Sequence, residues 1–452
     1  MVFGFVNKEN MSLLTDLYEL TMAQVYFKKG MNKTAIFDFY TRPVENRSYL
    51  LNAGLEQLVY FLQNVRFTQE DIDYLRSTGY FEEEFLSYLK NFRFTGNLYA
   101  VEEGEFIFPD EPVVQIEAPM IEAQIIETFL INTLQHPILV ATKAIRCYSV
   151  ARGTVLIDFG LRRAHGTDAG MKAARSSYIG GFAGTSNVLA GKEYGIKIFG
   201  TMAHSYILAH KDEVQAFKDF TLQYPENSVL LVDTYDTIKG VYNAVKAVKE
   251  LGLKHFKGIR LDSGDLLKLS VEARKILDAE GFKDAIIIAS GGINEYKIKE
   301  LLDKGAPIDG WGVGTELVVS ADLPYLDCAY KLVEYDARPV MKFSSKKKTL
   351  PHKKQIYRIY EDGVFKKDII TKFDEKVENG RPLLKEIIRN GKPVYNLPTL
   401  DEIRQKALEN FKKIPDELKD INKTVHIKPE ISISIQKTIK KLEEEYLKGA
   451  KK

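Results

Sequence analysis

The chain has 452 residues, more than one ordinary hydrophobic core accommodates, and this length predicts two or three domains. Hydrophobic residues make up 45% and charged residues 28%, which is typical of a soluble globular protein, and the formal net charge of +2 argues against nucleic acid or an anionic membrane as the main partner. No stretch reaches the roughly 18 apolar residues of a membrane-spanning helix, and the first residues lack a signal-peptide pattern, so we expect a cytoplasmic protein.

The two cysteines, Cys147 and Cys328, both lie in largely apolar surroundings. This context favours buried free thiols over a disulfide or a metal site, and it fits a reducing compartment. The sequence contains no Cys/His spacing for zinc.

The first third of the chain predicts a mixed α/β domain over residues 1–140. Thr15 is expected to cap a helix that runs to about Lys29, where Gly30 stops it. Short strand-like and helical runs alternate to about residue 100, and a proline-punctuated β-rich piece follows. A long helix is expected from Met120 to Arg152, interrupted or bent near Pro137, and it leads into the next domain.

Six apolar runs then recur, each ending in polar residues or glycine and each followed by a helical or loop stretch: VLIDFG, IKIFG, VLLVDTYD, GIRLDSGD, AIIIASGG and DGWGVG. Apolar runs without alternation indicate buried parallel strands. Six of them in series favour a closed or nearly closed α/β barrel over an open sheet, with its chemistry at the ends of the strands. This predicted catalytic barrel spans residues 141–335.

Beyond residue 335 the repeat stops, and we predict a C-terminal segment, 336–452, that packs on the N-terminal domain. A β-hairpin and surface helices at Leu400–Lys413 and Ile435–Leu447 are expected in it. The lysine run Lys346–Lys348 is explained by a solvated loop, or by a loop that helps to hold a polyanion near the pocket mouth.

The GIRLDSGD segment places Arg260, Asp262, Ser263 and Gly264 at one strand end. An arginine binds phosphate through its planar fork, and a neighbouring carboxylate can hold sugar hydroxyls or magnesium. A polar turn with an internal salt bridge explains any single segment of this kind equally well. Its repetition at several strand ends favours a ligand site.

Two late segments carry glycines where a strand meets a helix. ASGGIN has Gly291 and Gly292, and GVGTE has Gly312, Gly314 and Thr315. Exposed backbone N–H groups and a helix N-terminus can receive a phosphate, and late barrel loops commonly do so.

Arg162 and Arg163 follow the first barrel strand, with His165 nearby, and only one of the two arginines is expected to face inward because adjacent strand residues diverge. His204 follows the IKIFG run, where a hydrogen-bonded core residue is the plainer explanation of a lone histidine. Together the arginines, aspartates and glycine loops describe a pocket for a phosphorylated sugar with further phosphate and a divalent metal.

Six segments carry a resemblance: TDLYELTMAQVY, DFGLRRAHG, GTMAHSY, VDTYDT, IRLDSGD and the glycine loops. Together they resemble the nicotinate phosphoribosyltransferase family over nearly the whole chain. The resemblance implies an irregular, TIM-like α/β barrel of the type II phosphoribosyltransferase kind. It also implies that nicotinate displaces pyrophosphate from 5-phosphoribosyl-1-pyrophosphate (PRPP) to give nicotinate mononucleotide in NAD salvage. ATP hydrolysis is coupled through a phosphohistidine, and the enzyme is classified as a ligase.

The resemblance also implies roles for single residues. His204, Asp233 and Asp262 are catalytic, and His204 is the phosphorylated residue. The two aspartates are candidate Mg²⁺ ligands, with support of the phosphohistidine as the alternative role of Asp233. Tyr18, Phe159 and Arg162 bind nicotinate. The phosphoribosyl group is held by the following residues: Arg260, Ser263, Gly264, Gly291, Gly292, Gly314 and Thr315. The family is dimeric, with the N-terminal domain of one subunit over the barrel of the other, so a homodimer with a shared active site is expected, and whether Tyr18 acts in cis or in trans stays open.

Ser186 carries the prediction of substrate choice. The related nicotinamide-using family has an aspartate in the matching segment, and an aspartate repels a carboxylate, whereas the hydroxyl of Ser186 can donate to it. Nicotinate is therefore favoured over nicotinamide. Two rivals stay open at this point: a quinolinate phosphoribosyltransferase, against which length and GTMAHSY argue, and a catalytically silent phosphosugar-binding barrel.

Overall fold

The computed structural model describes residues 6–344 and 348–449. These residues form two compact units: one holds the described residues up to Ile138 together with those from Tyr325 onward, and the other comprises Leu139–Pro324. The chain thus enters and leaves the middle unit once. The predicted division into three domains, with boundaries near residues 140 and 335, stays a prediction.

The elements are as follows in chain order. Up to residue 150 they are α1 Leu17–Lys28, β1 Thr34–Thr41, β2 Leu50–Leu51, α2 Leu55–Asn64, α3 Gln69–Ser77, α4 Glu83–Lys90, β3 Asn97–Val101, β4 Phe106–Ile107, β5 Val114–Pro119, α5 Met120–Ile125 and α6 Glu127–Val150. The middle of the chain holds β6 Val155–Asp158, α7 Thr167–Ile179, β7 Gly184–Thr185, α8 Val188–Tyr194, α9 His204–Ala209, α10 Glu213–Gln223, β8 Val229–Leu231, α11 Thr237–Glu250, β9 Gly258–Leu261, α12 Leu266–Ala279, β10 Ile286–Ser290, α13 Glu295–Asp303, β11 Gly310–Val313 and α14 Thr315–Val318. From residue 328 onward follow β12 Cys328–Tyr335, β13 Arg338–Pro339, β14 Lys354–Glu361, β15 Val364–Lys372, β16 Arg381–Pro382, β17 Leu384–Arg389, β18 Lys392–Pro393, α15 Leu400–Lys412, α16 Asp416–Lys419, β19 Glu430–Ile431 and α17 Ile433–Gly449.

The first unit is built on a seven-stranded sheet in the order β13-β12-β1-β5-β3-β17-β18. β1 lies in its middle and pairs antiparallel with β5 and with β12, so that Ala35 faces Ala118 on one side and Tyr335 on the other. The predicted hairpin is present, since β14 pairs antiparallel with β15 in a four-stranded sheet. β1 is buried from Ala35 to Thr41, and buried residues of β5 and β12 lie beside it, so early and late segments of the chain share one core.

Two helix predictions for the first third of the chain need correction. The N-cap of α1 is Asp16, and Thr15 instead donates a hydrogen bond from its hydroxyl to Glu19 Oε2 at 2.5 Å. The long helix is interrupted at Ile126, between α5 and α6, and not at Pro137, which lies inside α6, while a bend at Pro137 stays a prediction. Packing explains why the helix continues through the proline: Leu134 and Ile138 on either side are buried, and this burial offsets the hydrogen bond that proline removes.

The middle unit contains a six-stranded parallel sheet in the order β7-β6-β11-β10-β9-β8. This confirms an α/β fold with a parallel sheet. Five of the six predicted runs form strands of the sheet. The IKIFG run does not, because it makes only an isolated bridge from Ile198 to Thr185 before the chain turns towards α9, and the short β7 takes its place in the ladder. Among the described residues the ladder stays open between β7 and β8.

The strands of this sheet are short apolar runs that are buried on both faces. Ile259, Ile287 and Trp311 are fully buried, and the helices contribute the inner faces of α11 and α12 to the same core. Because all six strands are parallel, their carboxyl ends lie at one edge, and the polar residues that follow them come together there.

The structure also bears on the predictions for the two cysteines, the lysine run and membrane-spanning helices. Cys147 and Cys328 are free thiols, the first buried and the second half-buried, and burial raises the pKa of Cys328 to about 12. Lys346 and Lys347 lie outside the described residues, while Lys348 forms an ion pair with Glu443 at 2.6 Å. Within residues 6–344 and 348–449, no helix has the length and apolar character needed to cross a membrane.

Candidate active site

A cavity of about 590 Å³ lies at the carboxyl ends of the parallel strands. It is lined by turns that follow β6, β7, β9, β10 and β11, together with the segment that leads into α9. The structure brings ten predicted residues together around it: Phe159, Arg162, Ser186, His204, Arg260, Asp262, Gly291, Gly292, Gly314 and Thr315. Segments far apart in sequence therefore meet in one pocket.

His204 is the first residue of α9 and is half-buried. Its Nδ1 atom lies 3.1 Å from Thr234 Oγ1, in the turn that follows β8. Among the described residues Nε2 has no hydrogen-bond partner, so this nitrogen remains available for a ligand. The sequence analysis missed Thr234, although it lies within the VDTYDT segment.

Asp233 lies behind the cavity and orders the turn after β9. Its Oδ2 atom accepts hydrogen bonds from the backbone N–H of Asp262 at 3.1 Å and from the hydroxyl of Ser263 at 2.6 Å. The other oxygen, Oδ1, is buried without a hydrogen-bond partner. Asp262 itself lines the cavity and accepts a hydrogen bond from Ser290, another residue that the sequence analysis missed.

Arg260 supplies a half-buried positive charge. Its Nη1 donates to Thr201 Oγ1 at 2.5 Å, while Nε is buried without a partner. Burial lowers the pKa of Arg260, the carboxylates of Asp262 and Asp233 oppose that shift, and Arg162 adds to it. A guanidinium that is only partly hydrogen-bonded is suited to bind an anion.

Arg162 and Arg163 both line the cavity, which corrects the expectation that only one faces inward. The reason is local: β6 ends at Asp158, and Leu161–Arg163 forms a 3₁₀ turn, in which adjacent side chains do not point to opposite sides as they do in a strand. His165, four residues after Leu161, is exposed.

Asp158 joins the turns that carry Phe159 and Ser186. This buried carboxylate accepts from the backbone N–H of Gly160 at 2.8 Å and from the hydroxyl of Thr185 at 2.7 Å, while its carbonyl accepts from the N–H of Ser186 at 2.8 Å. Burial raises its pKa, and these hydrogen bonds oppose the shift. Asp158 could have been found from the sequence, because it is the carboxylate of DFG at the end of an apolar run. It was not among the predicted site residues.

The two glycine loops also line the cavity. Gly291 has a φ of 84°, and a Cβ atom there would lie 2.0 Å from the carbonyl oxygen of Asp262. Neither the backbone angle nor the space permits a side chain. Asn294 caps α13, and Gly314 is the N-cap of α14, so each loop leads into a helix as predicted.

Tyr18, Ser263 and Gly264 are predicted site residues outside this set. Tyr18 belongs to the first unit, on α1, and is 44% exposed. Burial and the neighbouring Glu127 and Glu19 raise its pKa. Ser263 and Gly264 lie in the turn after β9, where Ser263 binds Asp233.

No group of three or more His, Cys, Asp or Glu residues able to hold a metal occurs in the described part of the chain. Asp233 and Asp262 remain as a pair of carboxylates joined through the Asp262 backbone. Mg²⁺ is often bound by one or two carboxylates plus the phosphates of a substrate, so this donor set fits such an ion, and the unpartnered Oδ1 of Asp233 is consistent with it.

A parallel α/β sheet with arginines, carboxylates and glycine loops at its carboxyl edge defines a class of protein that binds phosphorylated ligands. Family profiles narrow this class. The nicotinate phosphoribosyltransferase N-terminal domain matches residues 13–135, the nicotinate phosphoribosyltransferase family matches 154–376, and the C-terminal domain matches 376–431. The chain belongs to the nicotinate phosphoribosyltransferase family.

Individual relatives are similar to this chain over nearly the full length of both proteins. The chain is 47% identical to nicotinate phosphoribosyltransferase pncB2 of Mycobacterium tuberculosis, over 92% of this chain and 90% of that protein. It is 41% identical to the Bacillus subtilis nicotinate phosphoribosyltransferase, over 93% and 92%. The crystal structure of human nicotinic acid phosphoribosyltransferase superposes with a TM-score of 0.83 at 27% identity and covers 95% of this chain and 99% of the human chain.

Proposed function

We propose that this protein transfers the phosphoribosyl group of PRPP to nicotinate, forming nicotinate mononucleotide and pyrophosphate in NAD salvage. One observation carries the proposal: a chain that matches a relative of this family over 92% of its length also gathers ten predicted site residues around one cavity. Incubation with nicotinate, PRPP, Mg²⁺ and ATP is expected to yield nicotinate mononucleotide. Absence of that product, with phosphosugar binding retained, would instead favour the silent binding module.

Nicotinate is assigned to the side of the cavity formed by Phe159, Arg162 and Ser186. A phenylalanine ring offers a flat apolar face to the pyridine, while the guanidinium and the hydroxyl can both donate to the carboxylate. Quinolinate carries a second carboxylate. Arg163, which also lines the cavity, is a further cation there, so a comparison of nicotinate with quinolinate as substrate belongs in the same assay.

The phosphoribosyl group is assigned to the turn after β9 and to the two glycine loops. Arg260 and Asp262 face the sugar and its pyrophosphate, and Ser263 and Gly264 shape the turn that holds Asp262. The backbone N–H groups of Gly291, Gly292, Gly314 and Thr315 receive the 5-phosphate. Negative charge grows on the departing pyrophosphate while the anomeric carbon becomes cationic, so the site must stabilise both signs.

Mg²⁺ is the cofactor that we propose, held by Asp262 and Asp233 together with the substrate's phosphates. When bound, it would neutralise charge on the leaving pyrophosphate. Asp233 also fixes the backbone at Asp262, so Asp233→Asn is expected to raise the Mg²⁺ concentration needed for half-maximal activity. A metal requirement unchanged from that of the wild type would remove Asp233 from the metal site.

His204 is the residue that we propose to be phosphorylated by ATP, which would make the enzyme a ligase in classification. The ring has Thr234 on Nδ1 and leaves Nε2 at the cavity side for the phosphoryl group. In that step the Nε2 lone pair forms the bond to the γ-phosphorus, the bond to the bridging oxygen breaks, and ADP departs. Labelled γ-phosphate is expected on the wild type and absent from His204→Ala.

A homodimer with a shared active site is the proposed assembly, because in the resembled family the N-terminal domain of one subunit covers the barrel of the other, an arrangement that would bring Tyr18 to the site in trans. Tyr18→Ala and His204→Ala variants, mixed and allowed to exchange subunits, should regain part of the ATP-stimulated activity that each lacks alone. A sedimentation coefficient of a monomer, or no complementation, would contradict it.

We also propose that the parallel sheet is an irregular barrel. From the Ile198 bridge the order runs β7-β6-β11-β10-β9-β8, which follows the chain order around a ring with one gap, between Ile198 and β8. An experimental structure in which β8 and the Ile198 segment lie at opposite ends of an open sheet would contradict closure.

A further inference from the structure

A buried cluster of charges lies in the middle unit, apart from the residues that line the cavity. Lys143 Nζ lies 2.7 Å from Glu295 Oε2 and 2.6 Å from Asp322 Oδ1, and Arg146 Nε lies 2.9 Å from Glu295 Oε1. The side chains of Lys143 and Glu295 are fully buried. Taking such charges out of water is costly, so a buried ion pair is weak evidence for stability and invites a search for another role.

The partners of Lys143 follow the two glycine loops in the sequence. Glu295 is the first residue of α13 and follows the loop of residues 291–294. Asp322 follows the second loop and its short helix α14, which starts after Gly314. One ammonium group therefore holds the segments that follow both loops at once.

The two loops are also joined on the cavity side, where Asn294 Nδ2 donates to Glu316 Oε2 at 3.3 Å. Arg146 adds a second tie to α13 through a hydrogen bond from Nη2 to the hydroxyl of Tyr296 at 2.9 Å. A hydrogen bond from the Asn294 amide to the Glu316 carboxylate thus connects the two loops. The ion pairs of Lys143 connect Glu295 and Asp322, which follow the loops in the sequence.

We propose that Lys143, Arg146, Glu295 and Asp322 form a positioning network that sets the separation of the two loops for the 5-phosphate of PRPP. The proposal rests on the proposed function, which places that phosphate between the loops. Backbone N–H groups bind an anion well only within a narrow range of distance, so two loops that share one phosphate must keep a fixed spacing. Both α6 residues act through Glu295 and Asp322 and touch no substrate.

The test is the Lys143→Met variant, which keeps the length of the side chain and removes its charge. We expect the KM for PRPP to rise about tenfold or more and the KM for nicotinate to change less than about twofold. Calorimetric binding of ribose 5-phosphate to the unreacted enzyme should weaken by a similar factor, which provides a measurement independent of turnover.

The matched control is Lys354→Met. Lys354 is buried and pairs with Asp38 at 2.8 Å in the first unit, so its loss also leaves a buried carboxylate unpaired. It should lower the Tm as Lys143→Met does, without a selective change in the KM for PRPP. If Lys143→Met does not fold, Asp322→Asn removes one ion pair at a partly exposed carboxylate and should give the same selective change in smaller degree.

The outcomes separate this inference from the function on which it rests. A wild type that forms no nicotinate mononucleotide contradicts the proposed function. An active wild type, with folded Lys143→Met or Asp322→Asn variants that lose Tm but keep both KM and ribose 5-phosphate affinity, shows that the network only stabilises the fold and overturns the inference.

Discussion

Gly312 allows the ring of Phe159 to occupy its place beside the cavity, and Gly312→Ala tests this relation. An ideal Cβ at residue 312 would lie 2.3 Å from Phe159 Cδ2 and 3.2 Å from the Cβ of Ser290. Carbon atoms in contact are separated by about 3.5 Å or more, so the ring must move by about 1.2 Å. Overpacking of this kind typically costs about 1–3 kcal/mol.

If Phe159 forms one face of the nicotinate site, that displacement should act mainly on nicotinate. We expect the KM for nicotinate to rise about 10- to 100-fold at saturating PRPP, since a misplacement of about 1 Å can cost that much. Initial rates of nicotinate mononucleotide formation across nicotinate concentrations give the value, and a thermal melt of the same sample gives the Tm.

Gly310→Ala is the control, because residue 310 lies two positions earlier in β11 and on the same face. A Cβ there would meet its nearest atoms, Ile288 Cγ1 and Val155 O, at 3.5 Å, which is ordinary contact. This variant should leave the KM for nicotinate within about twofold of the wild type. Equal KM values for the two variants would refute the assignment of Phe159 to the nicotinate site.

Three further predictions follow from single side chains. His204→Ala should abolish stimulation by ATP and leave weak ATP-independent synthesis, and full stimulation in that variant would contradict the phosphohistidine. Ser186→Asp should weaken the use of nicotinate more than that of nicotinamide, because a second carboxylate repels the acid, and equal losses would disprove the selectivity argument. Burial raises the pKa of Glu19 to about 7 from its ordinary 4.5, so the folded state holds a proton that the unfolded state releases, and stability falls as the pH rises from 4.5 to about 7. The Tm of Glu19→Gln minus that of the wild type should therefore increase across this range, and a constant difference would show that the pKa of Glu19 is the same in the folded and unfolded states.

The parallel sheet could be predicted because buried strands leave a local signal. Runs such as AIIIASGG are apolar on both faces, and each carries its polar residues at the end. The pairing of β1 with β12 leaves no such signal: Thr41 and Cys328 face each other across nearly 290 residues of chain, and either strand alone is compatible with many partners. The return of the chain to the first unit was therefore predicted only as packing of a C-terminal segment.

In the site, as in the fold, residues with a local sequence signal could be predicted, and residues that only their three-dimensional contacts distinguish could not. Arg260, Asp262 and the glycine loops could be found because their residue types at strand ends have few other common uses. Thr234 and Ser290 could not, because a hydroxyl has an ordinary surface role nearly everywhere, and only the contacts with His204 and Asp262 distinguish these two. The expectation for the two arginines failed because it assumed extended geometry beyond Asp158, where the chain forms a 3₁₀ turn.

The structure changes the roles expected for the glycines more than those of the other site residues. Sequence alone assigned them all to phosphate binding, yet Gly312 and Gly291 serve different physical purposes. Gly312 leaves space for an aromatic ring, whereas Gly291 combines a left-handed backbone with close approach to the carbonyl of Asp262. Alanine at 312 should therefore act on nicotinate, while alanine at 291 must displace the strand end that carries Asp262 and should act on PRPP. Two substitutions of the same chemical kind, 21 positions apart, would then separate the two halves of one cavity.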